Sequence, residues 1–395
     1  MFLPLGNTKF LLSPPILSGQ MLPAMLSPAF AIRRWRLVVF LLLAVVATTA
    51  AWWRWSRPRF VASTHVAGPT TPPPADNRLR GVSWVAGDSV SSLDLEPLVR
   101  ARVTWIAQTP FGWQAGATTP TIQLHTGVGH RGYWGESDRG LVLTSQRARQ
   151  RGIRTLLKPH LWLRGGSGTW PGDVKMSSEA DWQRWFASYS VFMLHYARLA
   201  ESSGMAALCI GTELQHSVGH EAEWRALIAQ IRAVYRGQLT YAANWNAEFE
   251  QVGFWDALDF IGIQAYFPLS TTERPTKAAL LKAWQGPLRR IEALQKRVKK
   301  PVVFTEIGYK TTPDAAIEPW AWPDRTAIAA TPDEATQATC YAAMFETFWP
   351  RRWFQGLFVW KWYPGLQPAG SARRHLDFTP QHKPAEQVMT AWFGK

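Results

Sequence analysis

The sequence predicts a closed (β/α)8 barrel preceded by an N-terminal membrane-anchor segment. Three observations carry this expectation. From residue 79 onward, eight short apolar runs alternate with helix-period segments over roughly 315 residues, the pattern of parallel strands joined by crossover helices. Nearly every run ends in polar or aromatic side chains, as strand ends on the functional face of such a barrel do. Two of those ends carry a glutamate. An open doubly wound sheet is the alternative architecture, because closure is not written in the pattern.

In chain order, residues 1–36 read as a short cytoplasmic segment, and Met21 and Met25 are internal candidates for the start. Residues 37–53, LVVFLLLAVVATTAAWW, form an uncharged stretch of seventeen residues between arginines. At about 1.5 Å per residue this is near the lower limit for a spanning helix. Arg33, Arg34 and Arg36 favour a cytoplasmic N-terminus, while Arg54, Arg57 and Arg59 weaken that bias. The TTAA at 48–51 is a weak cleavage signal, whereas Trp52, Trp53 and Trp55 suit an interfacial anchor. The expectation is a single-pass inner-membrane protein with its body on the periplasmic side, secreted if the segment is cleaved. Residues 54–77 contain GPTTPPP and read as an extended linker, leaving 78–395 as the barrel domain.

Eight strands are expected in the body: LRGVSWV (79–85), RVTWIAQ (102–108), RTLLKPHLW (154–162), AALCIGTE (206–213), LTYAANW (239–245), FIGIQAYF (260–267), PVVFTEIGY (301–309) and GLFVWKWY (356–363). Helices are expected over 181–202, 221–235 and 333–349. The strand ends supply Trp84, Gln108, Lys158, His160, Glu213, Asn244, Trp245, Gln264, Tyr266, Glu306, Tyr309, Trp360 and Trp362. A closed barrel gathers all of these on one face.

Composition narrows the function classes. The 23 tryptophans exceed what packing usually asks for, and flat rings lining a cleft suit flat apolar ligand faces such as those of sugars. Cys209 and Cys340 lie in apolar or helical runs and read as buried thiols, with no disulfide framework. The net charge is +15, of which residues 1–77 hold seven basic side chains against one acidic. The remaining basic residues are scattered along helical stretches such as RRIEALQKRVKK (289–300), which describes solvated helix faces better than a nucleic-acid surface.

The glutamates define the chemistry. Glu213 follows the fourth strand and Glu306 ends the seventh. Glycoside hydrolysis with retention uses two carboxylates about 5 Å apart, one as acid/base and one as nucleophile. The acid must keep its proton near neutral pH, through burial and a neighbouring negative charge, while the nucleophile must stay ionised. Tyr266 is a candidate donor to the ionised partner. IGTELQ, LTYAANWNAEFEQVGFWDALDFIGIQAYFPL, KPVVFTEIGYK and LFVWKWYP, in that order, resemble the motifs of glycoside hydrolase family 113. The resemblance runs from about Arg80 to the C-terminus. It implies a retaining β-1,4-mannanase-like enzyme, with Glu213 as acid/base and Glu306 as nucleophile. One departure stands out against the wider clan of such barrels: Thr212 precedes the acid/base where many relatives carry Asn, so Asn244 or another polar group must take the amide's part.

Trp84, Lys158, His160, Asn244, Trp245, Tyr266, Trp360 and Trp362 are the expected substrate-binding residues, with Trp134 and Trp170 as further platforms in loops. His125, His130, His160 and His216 lack metal-ligand spacing, so neither a metal nor a cofactor is expected. GVGHRGYWGE (127–136) and LRGGSGTWPGD (163–173) do not match a phosphate-binding loop, and no serine-triad signature is present. The expected partner is a polysaccharide or oligosaccharide bound by a monomer, with no nucleic acid. The competing reading is a membrane-tethered barrel that binds glycan without cleaving it.

Overall fold

A computed structural model describes residues 76–124, 134–164, 170–323, 332–366 and 376–395. Eight parallel strands close into a barrel: β1 (Leu79–Trp84), β2 (Trp105–Gln108), β5 (Arg154–Leu157), β7 (Ala207–Thr212), β8 (Gln238–Asn244), β9 (Ile261–Gln264), β10 (Val302–Ile307) and β11 (Phe354–Trp362). β1 pairs with both β2 and β11, which completes the ring. The expected closed (β/α)8 barrel is therefore the observed architecture. Residues 1–75, which include the expected anchor, lie outside the described residues. Among the described residues no helix is long and apolar enough to cross a membrane.

Outside the barrel, β3 (Phe111–Gln114), β4 (Ile122–Gln123) and β6 (His160–Leu163) form a second, three-stranded sheet in the order β4-β3-β6. This corrects the single strand expected over 154–162. Pro159 has no N–H to give to a ladder, so the barrel strand ends at Leu157. The chain then re-pairs with β3, where the His160 N–H donates to the Pro110 carbonyl at 2.8 Å.

The long helices are α1 (Ser92–Arg100), α2 (Asp138–Gln150), α3 (Glu179–Ser203), α4 (Glu221–Arg232), α7 (Gln285–Val298), α8 (Glu334–Phe348) and α9 (Pro384–Phe393), with the short α5 (Glu248–Gln251) and α6 (Lys277–Ala283) between them. Their starts follow the local chemistry. Ser91, Ser137, Ser178, Thr276 and Asp333 each accept a first-turn backbone N–H, a contribution of about 1 kcal/mol apiece. Helix α3 stops at Gly204, whose φ of +61° suits a residue without Cβ.

Two apolar layers result from strand alternation. Leu79, Trp105, Ala107, Leu156, Ala207, Cys209, Ala242, Phe260, Val303 and Phe358 fill the barrel interior. The larger layer lies between strands and helices. Both cysteines are buried free thiols. Because the interior layer closes the barrel below, the polar strand ends are left to build its mouth.

Candidate active site

Local irregularity, rather than regular strand geometry, aims both glutamates into the mouth. In β10, Phe304 and Ile307 both face the helices although they are three residues apart, and pairing with β9 and β11 shifts between them. Strict alternation would put Glu306 on the side of Phe304, packed against helices; the irregularity releases it to the mouth. A similar shift falls between Cys209 and Thr212 of β7. Glu213 then adopts φ of +53°, a left-handed conformation that costs a non-glycine residue roughly 1–2 kcal/mol. Its N–H donates to the Ala242 carbonyl at 2.9 Å, which holds that turn against β8.

Glu306 is buried among donors. The Lys158 ammonium, itself fully buried, pairs with its Oε1 and also donates to the Thr305 carbonyl at 3.3 Å. The Tyr266 hydroxyl donates to Oε2 at 2.8 Å, and Gln264 on the neighbouring strand adds a further hydrogen bond. Burial pushes the Glu306 carboxyl up, but the Lys158 charge and these bonds outweigh it and hold the group below the ordinary carboxylate range. Burial and the Glu306 charge keep the Tyr266 phenol well above its usual value, so it remains a donor.

Glu213 is half-buried and has the opposite surroundings. Asn244 Nδ2 donates to its Oε1 at 2.7 Å. Burial, then the charge of Glu306, then that of Glu248 raise its pKa to about 8, against the opposing pull of Lys158 and Asn244. The two environments thus act in opposite directions, favouring the protonated form of Glu213 and the ionised form of Glu306. His160 Nε2 lies 3.9 Å from Glu306 Oε1. Burial and then Lys158 depress that ring to about 3, so it is neutral and cannot serve as a second cation. Its buried Nε2 has no hydrogen-bond partner among the described residues.

The expected binding residues divide in two. His160, Asn244, Tyr266 and Trp360 gather around the carboxyls; the Trp360 ring, half-buried, lies 5.9 Å from Lys158 Nζ. Trp245 stands farther along the mouth, stacked on Trp320 with centroids 5.0 Å apart at 19°. Lys158 touches Glu306 rather than open space. Trp84 and Trp362 do not join the mouth: they are 5 % and 1 % exposed in the layer under the helices. A register shift between Val82 and Trp84, where Trp84 pairs with Trp362, accompanies that placement. Gln108 likewise turns outward, donating to the Leu141 carbonyl at 3.1 Å. Trp134 and Trp170 are half-buried in their loops. His125 and His130 lie outside the described residues. Among the described residues no group of three or more His, Cys, Asp or Glu side chains is placed to hold a metal.

Sequence reasoning missed Glu248. It is 1 % exposed, accepts from the Tyr241 hydroxyl and, at 2.6 Å, from the Asn244 N–H. Burial raises its carboxyl to about 7 despite those bonds. Through Asn244 and through its charge it reaches Glu213 from behind. The run NAEFEQ holds two acids, and no spacing rule marks Glu248 as buried while Glu250 pairs with Arg290 at the surface.

A closed parallel barrel with two carboxyls in contrasting surroundings at its mouth is the arrangement that barrel glycosidases use. The chain belongs to glycoside hydrolase family 113, whose profile matches residues 81–393, and it is accordingly an O-glycosyl hydrolase. It is similar to the GH113 β-mannanase from Alicyclobacillus acidocaldarius in complex with ManMIm, with 27% identity and a TM-score of 0.69 over 81% of this chain and 98% of that one. A complex of a GH113 β-1,4-mannanase gives 27% identity and a TM-score of 0.67 over 80% and 99%. A β-glucuronidase from Ruminococcus gnavus, at 13% identity and a TM-score of 0.51 over 80% of this chain and 50% of that one, shares the fold alone. No match is found among functionally curated proteins.

Proposed function

We propose that this enzyme cleaves a β-1,4-linked polysaccharide, mannan or glucomannan, within the chain and with retention of configuration. The observation that carries the reading is a pair of carboxyls with opposite surroundings: Glu306 against the Lys158 ammonium and the Tyr266 hydroxyl, Glu213 against Asn244 with the Glu248 carboxyl behind it. The ionised Glu306 attacks the anomeric carbon while Glu213 gives its proton to the departing glycosidic oxygen, so the C–O bond breaks as the glycosyl–enzyme ester forms. Esterification removes the negative charge of Glu306, one of the causes holding the Glu213 pKa high. Glu213 therefore becomes a stronger acid in the intermediate and stays ionised after giving up its proton. It then takes a proton from water as that water displaces Glu306 from the sugar.

Asn244 and the neutral His160 offer polar atoms to sugar hydroxyls at the cleavage point, and Trp360 offers a ring face. The 27 % identical β-mannanases favour mannan over other β-1,4 glycans. The reading extends to location: residues 37–53 anchor the enzyme in the inner membrane, with the barrel on the periplasmic side. The body from Asn77 onward, screened against mannan, glucomannan, xylan, cellulose and peptidoglycan, tests the substrate. Cleavage of none of them overturns the glycanase reading, and cleavage of xylan or cellulose alone overturns mannan. Fractionation of the full chain tests location, with membrane association expected and a released form cut near Ala50 overturning the anchor.

A further inference from the structure

Apart from His160, the sheet of β3, β4 and β6 takes no part in the chemistry above, yet its outward face is unusual. Leu161, Leu163, Gly112 and Gln114 alternate to the buried side, where Gly112 presses against the Phe192 ring and Gln114 accepts from Trp185 Nε1 at 3.0 Å. The opposite side carries Phe111 and Trp113 of β3, paired in register with His160 and Trp162 of β6. These rings touch in sequence: Phe111 lies 5.7 Å from His160 and 5.8 Å from Trp162, and Trp162 lies 6.0 Å from Trp113. Trp162 is 53 % exposed. The Arg164 guanidinium sits 5.1 Å over the Trp113 ring, and Gln123 pairs across from Trp113 on the exposed edge.

We propose that this face is a further glycan-binding surface, on which Trp162 and Trp113 hold sugar units of the same polysaccharide beyond those at the carboxyls. His160 is the link. It belongs to this face and also approaches Glu306, so the aromatic row begins at the reacting centre and leads away from it without a break. His160 and Trp162 stand two positions apart on β6, about 7 Å, a step on the scale of one sugar unit. An apolar protein partner would ask for a wider apolar patch. Here rings alternate with a guanidinium and an amide, the mixture that stacks on a pyranose face and hydrogen-bonds its hydroxyls.

The inference rests on the glycanase reading, so binding and cleavage are measured separately. In a Glu306→Gln background, calorimetric titration compares mannotriose with mannohexaose, and cellotriose with cellohexaose. The hexaose of one series should bind more tightly than its triose. Adding Trp113→Ala and Trp162→Ala should weaken the hexaose about tenfold and leave the triose within about twofold, with the melting temperature unchanged. Equal loss for both lengths, no loss for either, or no length dependence before the rings are removed overturns the surface. Hydrolysis by the unmodified enzyme is scored apart: absence of cleavage with retained, ring-dependent hexaose binding overturns the catalytic reading and keeps the face.

Discussion

Glu213 and Glu306 are the same side chain placed at the ends of two strands that open on one barrel mouth, and comparison of their surroundings shows how position sets protonation. Burial opposes ionisation at both. Around Glu306, β9 and the residue after β5 supply two donors and a buried cation: Gln264, Tyr266 beyond the strand, and Lys158. Around Glu213, β8 supplies one neutral donor, Asn244, and behind it a third carboxyl, Glu248. The sign of the neighbours, not the depth of burial, separates a group that stays ionised from one that keeps its proton. The family fixes a glycosidase barrel, and this asymmetry suits the pair to the cycle proposed for it.

The comparison breaks most sharply at its two centres. Glu306→Gln removes the attacking oxyanion and should lower turnover about 10⁴-fold or more on every substrate, activated or not. Glu213→Ala should cost about 10²–10⁴-fold on the polysaccharide, yet an aryl glycoside with a good leaving group should still form the glycosyl–enzyme. Added azide should then restore turnover and give a β-configured product, read by NMR. Azide rescue of Glu306→Ala with retention would sink the division of labour.

Several parts of this site were legible before any coordinates. Eight apolar runs with polar ends, alternating with helix-period segments, report a parallel sheet buried on both faces, while its closure had to come from the structure. Glu213 and Glu306 stand out because each directly ends such a run. What escaped the sequence depends on departures from regularity. Trp84, Trp360 and Trp362 look equivalent at strand ends, but a register shift buries two of them. The KPH of residues 158–160 did carry the proline signal for a broken strand, yet β4 is two residues long and β3 four, too short for an alternating pattern to reveal their sheet. Glu248 matters through partners distant in character, a tyrosine hydroxyl and a backbone N–H, and no motif encodes those.

Removing the cation sharpens the comparison at a smaller scale. Lys158→Met leaves Glu306 buried with only neutral donors, so its pKa should rise, because the largest influence opposing burial is gone. As the proposed nucleophile, Glu306 is competent when ionised, so the acidic limb of the kcat/KM profile should move to higher pH with a lower plateau. Loss of one partner of a buried ion pair also destabilises the fold, by about 3–5 kcal/mol, and a thermal melt measures that separately. An unchanged acidic limb would show that Lys158 serves packing alone.

The smallest expected effect tests the charge behind Glu213. The basic limb of kcat/KM should fall near pH 8, where Glu213 loses its proton in the free enzyme. Glu248 itself titrates at about 7, so as pH climbs toward that limb it becomes negative and helps Glu213 retain its proton. Glu248→Gln deletes that charge and keeps one of its two acceptors, the amide oxygen meeting the Asn244 N–H while the NH2 turns to the Tyr241 hydroxyl oxygen. The Glu213 pKa should therefore fall, and the basic limb should move to lower pH while the acidic limb, set by Glu306, stays in place. Replacement by Ala would leave both the Tyr241 hydroxyl and the Asn244 N–H without a buried partner, so it serves as the contrast: it should lower the melting temperature more than Gln does. A purely structural Glu248 would reduce kcat or stability in either variant without moving the limb, and that outcome would return the tuning of Glu213 to burial and Glu306 alone.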